Sequence, residues 1–200
     1  MVPSKEGAEL NKLTDEELIF SFQDGNEKAY TEIVTRYKDK LTNFVYRYVG
    51  SYDDSDDIVQ DTFVKVYVSK HLYKEVAKFS TWIYTIAINL AKTKISKKQK
   101  YKTFSISDAY EDEDKDFDIP DDSYTPDVDA NSKFLSVHIQ KALDQISESY
   151  RELVILRDIE DYSYEEIAEM TGLPMGTVKS RINRGREKLQ ELLKDIYKEE

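Results

Sequence analysis

The 200-residue chain contains no cysteine, two histidines and one tryptophan. Without cysteine there is neither a disulfide framework nor a thiolate metal site, a composition that suits a reducing interior. His71 and His138 lie far apart in the sequence, with no nucleophile motif beside either, and each reads as an ordinary residue on a helix surface. No stretch approaches the ~18 consecutive apolar residues of a membrane span, and the N-terminal "MVPSKEGAELNKL" has no apolar signal region. No Asn-Gly or Asp-Gly signal separates alternating strands. A soluble, cytoplasmic, all-α protein that does not itself insert into membranes is expected.

What is present is negative charge, unevenly placed. The formal net charge is −11, yet residues 101–130 alone hold eleven acids and two lysines. That stretch, "YKTFSISDAYEDEDKDFDIPDDSYTPDVDA", has two prolines and no apolar period, so it cannot bury enough surface to offset the entropy of ordering. It reads as a flexible acidic linker between two small helical domains, at 10–100 and 131–198.

Both flanking regions carry helical spacing. Thr14 and Glu17 form a capping box ahead of Leu18, Ile19 and Phe22, and Gly25 ends that helix. Ala29, Ile33, Val34 and Tyr37 mark a second helix; Leu41, Phe44, Val45, Tyr48 and Val49, before Gly50, mark a third. A fourth, from about Ser55 to Lys70, turns Ile58, Val59, Thr62, Phe63, Val66 and Tyr67 inward. A fifth, from about Ser80, buries Ile83, Ile86, Ala87 and Leu90. Beyond the linker, one helix uses Leu135, Ile139, Ala142, Leu143 and Ile146, and the next Tyr150, Leu153, Val154 and Leu156.

The stretch "YSYEEIAEMTGLPMGTVKSRINRGREKL" is the most informative. Ser163 and Glu166 form a capping box, Gly172 can close the helix in the left-handed region, and Pro174 suits the start of another. Helix, short glycine turn and helix make a helix-turn-helix. With Val178 central to the buried face of the second helix, Ile182, Gly185, Leu189, Leu192 and Ile196 follow at fours and threes. Ser180, Asn183 and Arg184 then face outward, with Lys179 and Arg181 on the flanks. Such donors, near amides at Met175 to Thr177 that favour a phosphate, suit the DNA major groove. The competing reading is a solvated amphipathic helix whose cations balance Glu187 and Glu191. The coincidence of cap, turn, proline and donor face favours DNA.

Two further features stand out. "FSTWIYTIAINLAKTKISKKQKYK" places Phe79, Trp82 and Tyr84 before six lysines between Lys92 and Lys102, a combination of rings and cations suited to single-stranded nucleic acid. Equally, Trp82 fits a core position and the lysines a frayed helix end. "SYDDSDDIVQDTFVKVY" sets Asp53, Asp54, Asp56, Asp57 and Asp61 at a helix start, where the macrodipole favours acids. It is no calcium loop: counting from Asp53, positions six and twelve hold Ile58 and Val64, not Gly and Glu. Asp57, Gln60, Asp61 and Val64 lie off the buried face and offer a surface to a protein partner.

Three segments in one order resemble the extracytoplasmic-function (ECF) sigma factors, the small two-domain class of bacterial RNA polymerase initiation subunits. "DDIVQDTFVKVY" is similar to that family's polymerase-binding helix, "FSTWIYTIAINLAK" to its minus-ten reader, and the helix-turn-helix stretch to its minus-thirty-five reader. The resemblance implies that Arg157, Thr177, Lys179, Ser180, Arg181, Asn183 and Arg184 meet the minus-thirty-five element. It implies that Lys78, Phe79, Trp82, Asn89 and Lys92, with the loop from about Leu72 to Ser80, meet the minus-ten strand. Asp57, Gln60, Asp61 and Val64 would meet the clamp helices of the polymerase's largest subunit. Thr85 and Ile88 depart from the pattern, standing where many members have arginine.

The implied partners are RNA polymerase core, through its clamp helices and flap, promoter DNA, and an anti-sigma factor. No cofactor, metal or catalytic site is implied, since the polymerase performs the chemistry. The acidic segment Asp108 to Asp129 would satisfy positive channel walls of the polymerase as an RNA mimic, and its charge predicts weak DNA binding by the free chain. The alternative is a two-domain helix-turn-helix regulator acting on duplex DNA without polymerase.

Overall fold

The computed structural model describes residues 10–105 and 130–194, with side chains from 10 to 101 and from 134 to 194. The acidic segment Asp108 to Asp129 and the core position assigned to Ile196 lie outside the described residues. The described chain forms two helical domains and, among those residues, no strand.

Helix α1 spans Asp15–Gln23. The Glu17 amide donates to Thr14 Oγ1 at 3.2 Å and the Thr14 amide to Glu17 Oε2 at 2.7 Å, closing the expected capping box. Helix α2, Glu27–Val49, joins what the spacing suggested were two helices. No glycine or proline interrupts Lys38-Asp39-Lys40, so the ladder continues until Gly50, at φ 71°. Arg36 ties the entering chain to α2: its guanidinium donates to the carbonyls of Leu10, Asn11 and Leu13, to Asp15 and to Glu32.

Helix α3, Tyr52–Ser69, starts before the expected Ser55 because Ser51 supplies the cap, accepting from the Asp54 amide. A short 3-10 turn, Lys70–Leu72, follows. Helix α4 runs Phe79–Ser105, into the stretch expected to be linker. Its buried stripe is Ile83, Tyr84, Ala87, Ile88 and Ala91, rotated from the expected one, and Ile86 and Leu90 are only half-buried. The rotation arises because α4 packs against α2 and α3 on one side and the second domain on another. Phe22, Phe44 and Phe79 are fully buried in this domain, each contributing about 1.5–3 kcal/mol by leaving water. Tyr67 is exposed, contrary to expectation: its ring lies across Phe22 and Tyr30 at the rim, with its hydroxyl turned out to Glu27.

The second domain comprises α5 (Ala130–Gln145), α6 (Glu148–Val154), a π turn (Ile155–Ile159), α7 (Tyr164–Thr171) and α8 (Met175–Leu193). Its core joins Leu143, Leu153, Leu156, Ile167, Val178 and Ile182. Helices α6 and α8 approach closely at Gly185, where a β-carbon would meet Val154 Cγ2 at 2.6 Å and Tyr150 Cβ at 3.3 Å. Leu135 and Leu192 are exposed, one near the start of α5 and one at the end of α8, beyond the reach of that core.

The buried side chains of the two domains join in one apolar cluster, and polar bonds line the contact around it. Arg151 of α6 donates to the Tyr48 carbonyl at the end of α2 (2.9 Å) and to the Asp144 and Ile146 carbonyls. Gln140 donates to the Arg47 carbonyl at 3.3 Å. Tyr162 enters the first domain, its ring edge-on to Tyr84 at 5.4 Å.

Candidate nucleic-acid interfaces

The helix-turn-helix is built as its sequence dictates. Ser163 and Glu166 close their capping box, Gly172 ends α7 at φ 68°, and Pro174 precedes the first turn of α8 without a side-chain cap on the helix amides. Val178, Ile182 and Gly185 face the core, leaving Lys179, Ser180, Asn183 and Arg184 exposed on the outer face; Thr177 and Arg181 are half-buried at its edges. The Ser180 hydroxyl donates back to the Thr177 carbonyl at 3.1 Å. Tyr164 of α7 lies between two cations, Lys179 at 5.8 Å and Arg157 at 5.4 Å from its ring centroid. Arg157 is half-buried and donates to the Tyr162 carbonyl at 2.9 Å and to Asp161 at 3.3 Å, so its head is held by the π turn's own exit. Arg186 makes a two-pronged pair with Asp158, fixing α8 to that turn.

Along α4 the sequence-predicted residues divide. Asn89 is exposed and Trp82 half-buried at the rim, against Tyr73 at 5.5 Å. Phe79 is not a stacking platform: it is fully buried, ringed by Tyr37, Tyr73 and Trp82, and no face is left for a base. The helix-start position that suggested access instead points inward, with the Phe79 amide donating to Glu16 of α1 at 2.9 Å. Ile88, at an arginine position of the resembling pattern, is likewise buried. Lys78 and Lys92 are both engaged, with Glu166 and Glu152 respectively, each at 2.8 Å.

On α3, Asp57, Gln60, Asp61 and Val64 form an exposed strip. It extends through Val68 and Leu72, both about three-quarters exposed, which the spacing of four from Val64 to Val68 could have indicated. Asp57 pairs with Lys94 of α4 at 3.0 Å. Asp54, grouped in the sequence with the helix-start acids, is mostly buried. Burial raises its carboxyl pKa, but Lys98 and Lys94 outweigh that and hold it below the ordinary range.

The seam holds groups that sequence reasoning missed. The Tyr84 hydroxyl donates to Glu160 Oε2 at 2.7 Å. Burial pushes the Glu160 carboxyl up, against the lowering effect of Tyr84, Arg47 and Lys40. Burial likewise raises the Tyr84 and Tyr162 phenols. Glu166 is held low, chiefly by its bond with Lys78. No local period marks Glu160, whose partners lie in the other domain, and the capping box that marks Glu166 says nothing of Lys78. Among the described residues, no group of three or more acidic or histidine side chains is placed to hold a metal, and no helix is long and apolar enough to cross a membrane.

Comparison with known proteins accounts for both domains. Residues 33–101 match the model of Sigma-70 region 2 and residues 136–189 that of Sigma-70 region 4. The chain is 36% identical over 173 residues to the ECF RNA polymerase sigma factor SigW of Bacillus subtilis, covering 86% of this chain and 92% of that one. It is 32% identical over 188 residues to the ECF RNA polymerase sigma-E factor of Haemophilus influenzae, covering 92% and 98%. Among solved structures, the sigma factor RpoE in complex with the anti-sigma factor NepR from Bartonella quintana matches with TM-score 0.66 and 26% identity, over 84% of this chain and 98% of that one. With a region 2 domain, a region 4 helix-turn-helix and relatives matched over nearly their full length, the chain belongs to the ECF family of RNA polymerase sigma factors.

Proposed function

We propose that the protein joins RNA polymerase core and directs initiation at promoters carrying a minus-thirty-five element read by α8 and a minus-ten element read by α4. One observation carries the reading: a groove-sized donor face on α8 and an aromatic, lysine-rich α4 occur in one chain, the first inside the segment that matches region 4 and the second largely inside the one that matches region 2. In this reading Lys179, Ser180, Asn183 and Arg184 contact base edges or phosphates, while Arg157 and Arg181 contact backbone. Asn89, Trp82, Lys78 and Lys92 capture the opened strand, for which unstacking costs a few kcal/mol per base. The strip from Asp57 to Val64 takes the polymerase clamp, and Val68 and Leu72 enlarge its apolar part.

The chain itself performs no bond chemistry in this scheme, and its place of action is the cytoplasm, with the polymerase. The structural relative from Bartonella quintana is bound to an anti-sigma factor; a restraining protein of that class is inferred for this chain. The test is reconstitution. Purified chain added to core polymerase is expected to give run-off transcripts from a cognate promoter and none from a promoter lacking both elements. Duplex binding without any effect on polymerase would instead support a helix-turn-helix regulator.

A further inference from the structure

Helix α1 holds the loop between α3 and α4 at both ends. Gln23, at the end of α1, donates through Nε2 to the carbonyls of Lys70 at 2.6 Å and Tyr73 at 3.2 Å, where the chain leaves the 3-10 turn. Lys70 in turn donates from Nζ to the Phe22 carbonyl at 2.7 Å. At the other end of the loop, Glu16 Oε1 accepts the first amide of α4, that of Phe79, at 2.9 Å. Gln23 and Glu16 are two helical turns apart, so both leave the same face of α1 and stand roughly 10 Å from each other along its axis.

Within the loop, the Tyr73 hydroxyl donates across to the Ala77 carbonyl at 2.9 Å, and the buried Tyr73 ring meets Phe20, Phe79 and Trp82 at 5.8, 5.7 and 5.5 Å. Lys74, Glu75 and Val76 are exposed at the tip, as is Lys78 ahead of α4. Exposed backbone is the part of a fold that opens most easily, so its shape depends on its anchors. Helix α1 does not need Glu16 or Gln23 to stay in place. Leu18, Ile19 and Phe22 are fully buried and seat it in the core, whereas Glu16 and Gln23 are half-buried at the edge. Two polar side chains that add little to the seating of their own helix therefore act on the conformation of the loop beside it.

We propose that Gln23 and Glu16 are positioning residues for base selection: they set the shape of the loop from Leu72 to Ser80 and the start of α4, and through it the preference for one base of the minus-ten strand. Neither touches a nucleotide in this scheme. The role rests on the sigma-factor reading for the identity of the loop's ligand, and it supplies what holds the loop in a base-selective shape. Gln23→Met keeps the length of the side chain and a good helix former while removing both donors. Glu16→Ala removes the acceptor for the Phe79 amide, and Glu16→Gln restores one.

The test uses the full chain with core polymerase and a pool of barcoded linear templates randomised over the minus-ten and minus-thirty-five regions. Sequencing the run-off transcripts then gives the base preference at every position. Loss of folded protein scales all transcripts alike and leaves relative preference untouched. Gln23→Met and Glu16→Ala are each expected to flatten the preference at one minus-ten position by about fivefold, the worth of an ordinary hydrogen bond, with the minus-thirty-five profile unchanged. Glu16→Gln should restore that preference. Ile33→Val, which trims a fully buried residue of α2, is the stability control and should keep the wild-type profile at both elements. The chain's one tryptophan gives a second signal: Trp82 packs on Tyr73 and Phe79, so its quenching by acrylamide should rise in Gln23→Met and not in Ile33→Val. A wild-type base profile in both α1 variants, flattening at both elements together, or unchanged quenching in Gln23→Met would overturn the positioning role. A wild-type chain that selects no template would instead remove the sigma-factor reading, and the role with it, a result distinct from normal selection by every variant.

Discussion

The two helices proposed to read DNA are presented oppositely. On α8 the outward residues Lys179, Asn183 and Arg184 are exposed, and the contacts nearby, Tyr164 under Lys179 and Asp158 on Arg186, brace the helix without covering its reading face. At the entry to α4 and along it, Lys78 and Lys92 are paired with Glu166 and Glu152 of the other domain. One reader is displayed and the other is engaged. The difference teaches that exposure of a cationic helix is set by what the rest of the chain places against it, and that two similar charge patterns can sit in different functional states within one molecule.

Experiments can press on each side of this contrast. The largest effect is expected from Lys179→Ala/Arg184→Ala, which removes two displayed donors; at about 1–3 kcal/mol each, affinity for a duplex minus-thirty-five element should fall by a hundredfold or more in an anisotropy titration. Helix content should not change, since both residues are exposed. Gly185→Ala attacks the same reader from beneath: the new methyl would collide with Val154 and Tyr150, and overpacking of this kind costs about 1–3 kcal/mol. A lowered thermal midpoint and weakened duplex binding together are the expected result.

A subtler effect follows from titration of the seam. Glu160 faces Tyr84 on α4, Arg47 and Lys40 on α2, and Tyr162 beyond its own turn. Its carboxyl is raised when the domains are together, so its protonated form favours closure. That contribution is fully present below the ordinary value of 4.5 and fades as pH rises through the raised one. Glu166 behaves oppositely: its carboxyl is depressed, and its contribution is lost as pH falls through the depressed value. The thermal midpoint followed by circular dichroism should therefore fall along this limb as pH climbs from 4.5 towards neutrality, and Glu160→Gln should flatten it. The smallest effect is expected from Asp158→Asn, which weakens one exposed pair with Arg186 and should change duplex affinity by about twofold at most.

Much of this was legible in the residues. The capping boxes at Thr14 and Ser163, the stops at Gly50 and Gly172, and the buried stripe Val178, Ile182 and Gly185 all obey local rules that a single sequence displays. The fusion of two expected helices into α2 was also decided locally, by the absence of a breaker, and the spacing alone obscured it. Phe79, Ile88, Glu152 and Glu160 were hidden for a different reason. An aromatic beside lysines reads as a stacking surface until the helix's azimuth is known, and that azimuth is fixed by α2, α3 and the second domain. Glu152 and Glu160 acquire meaning only through partners some sixty to eighty positions away in the chain.

The π turn at Ile155–Ile159 carries a consequence for evolution by insertion and deletion. A π turn holds one residue more than an α turn, so the extra residue is absorbed and the flanking backbone keeps its phase. Removing a single residue there would turn the wide turn into an α turn and leave Gly185 of α8 seated on Val154 and Tyr150 ahead of it. That wide turn is then the place where this domain can lose one residue without disturbing the seat of α8.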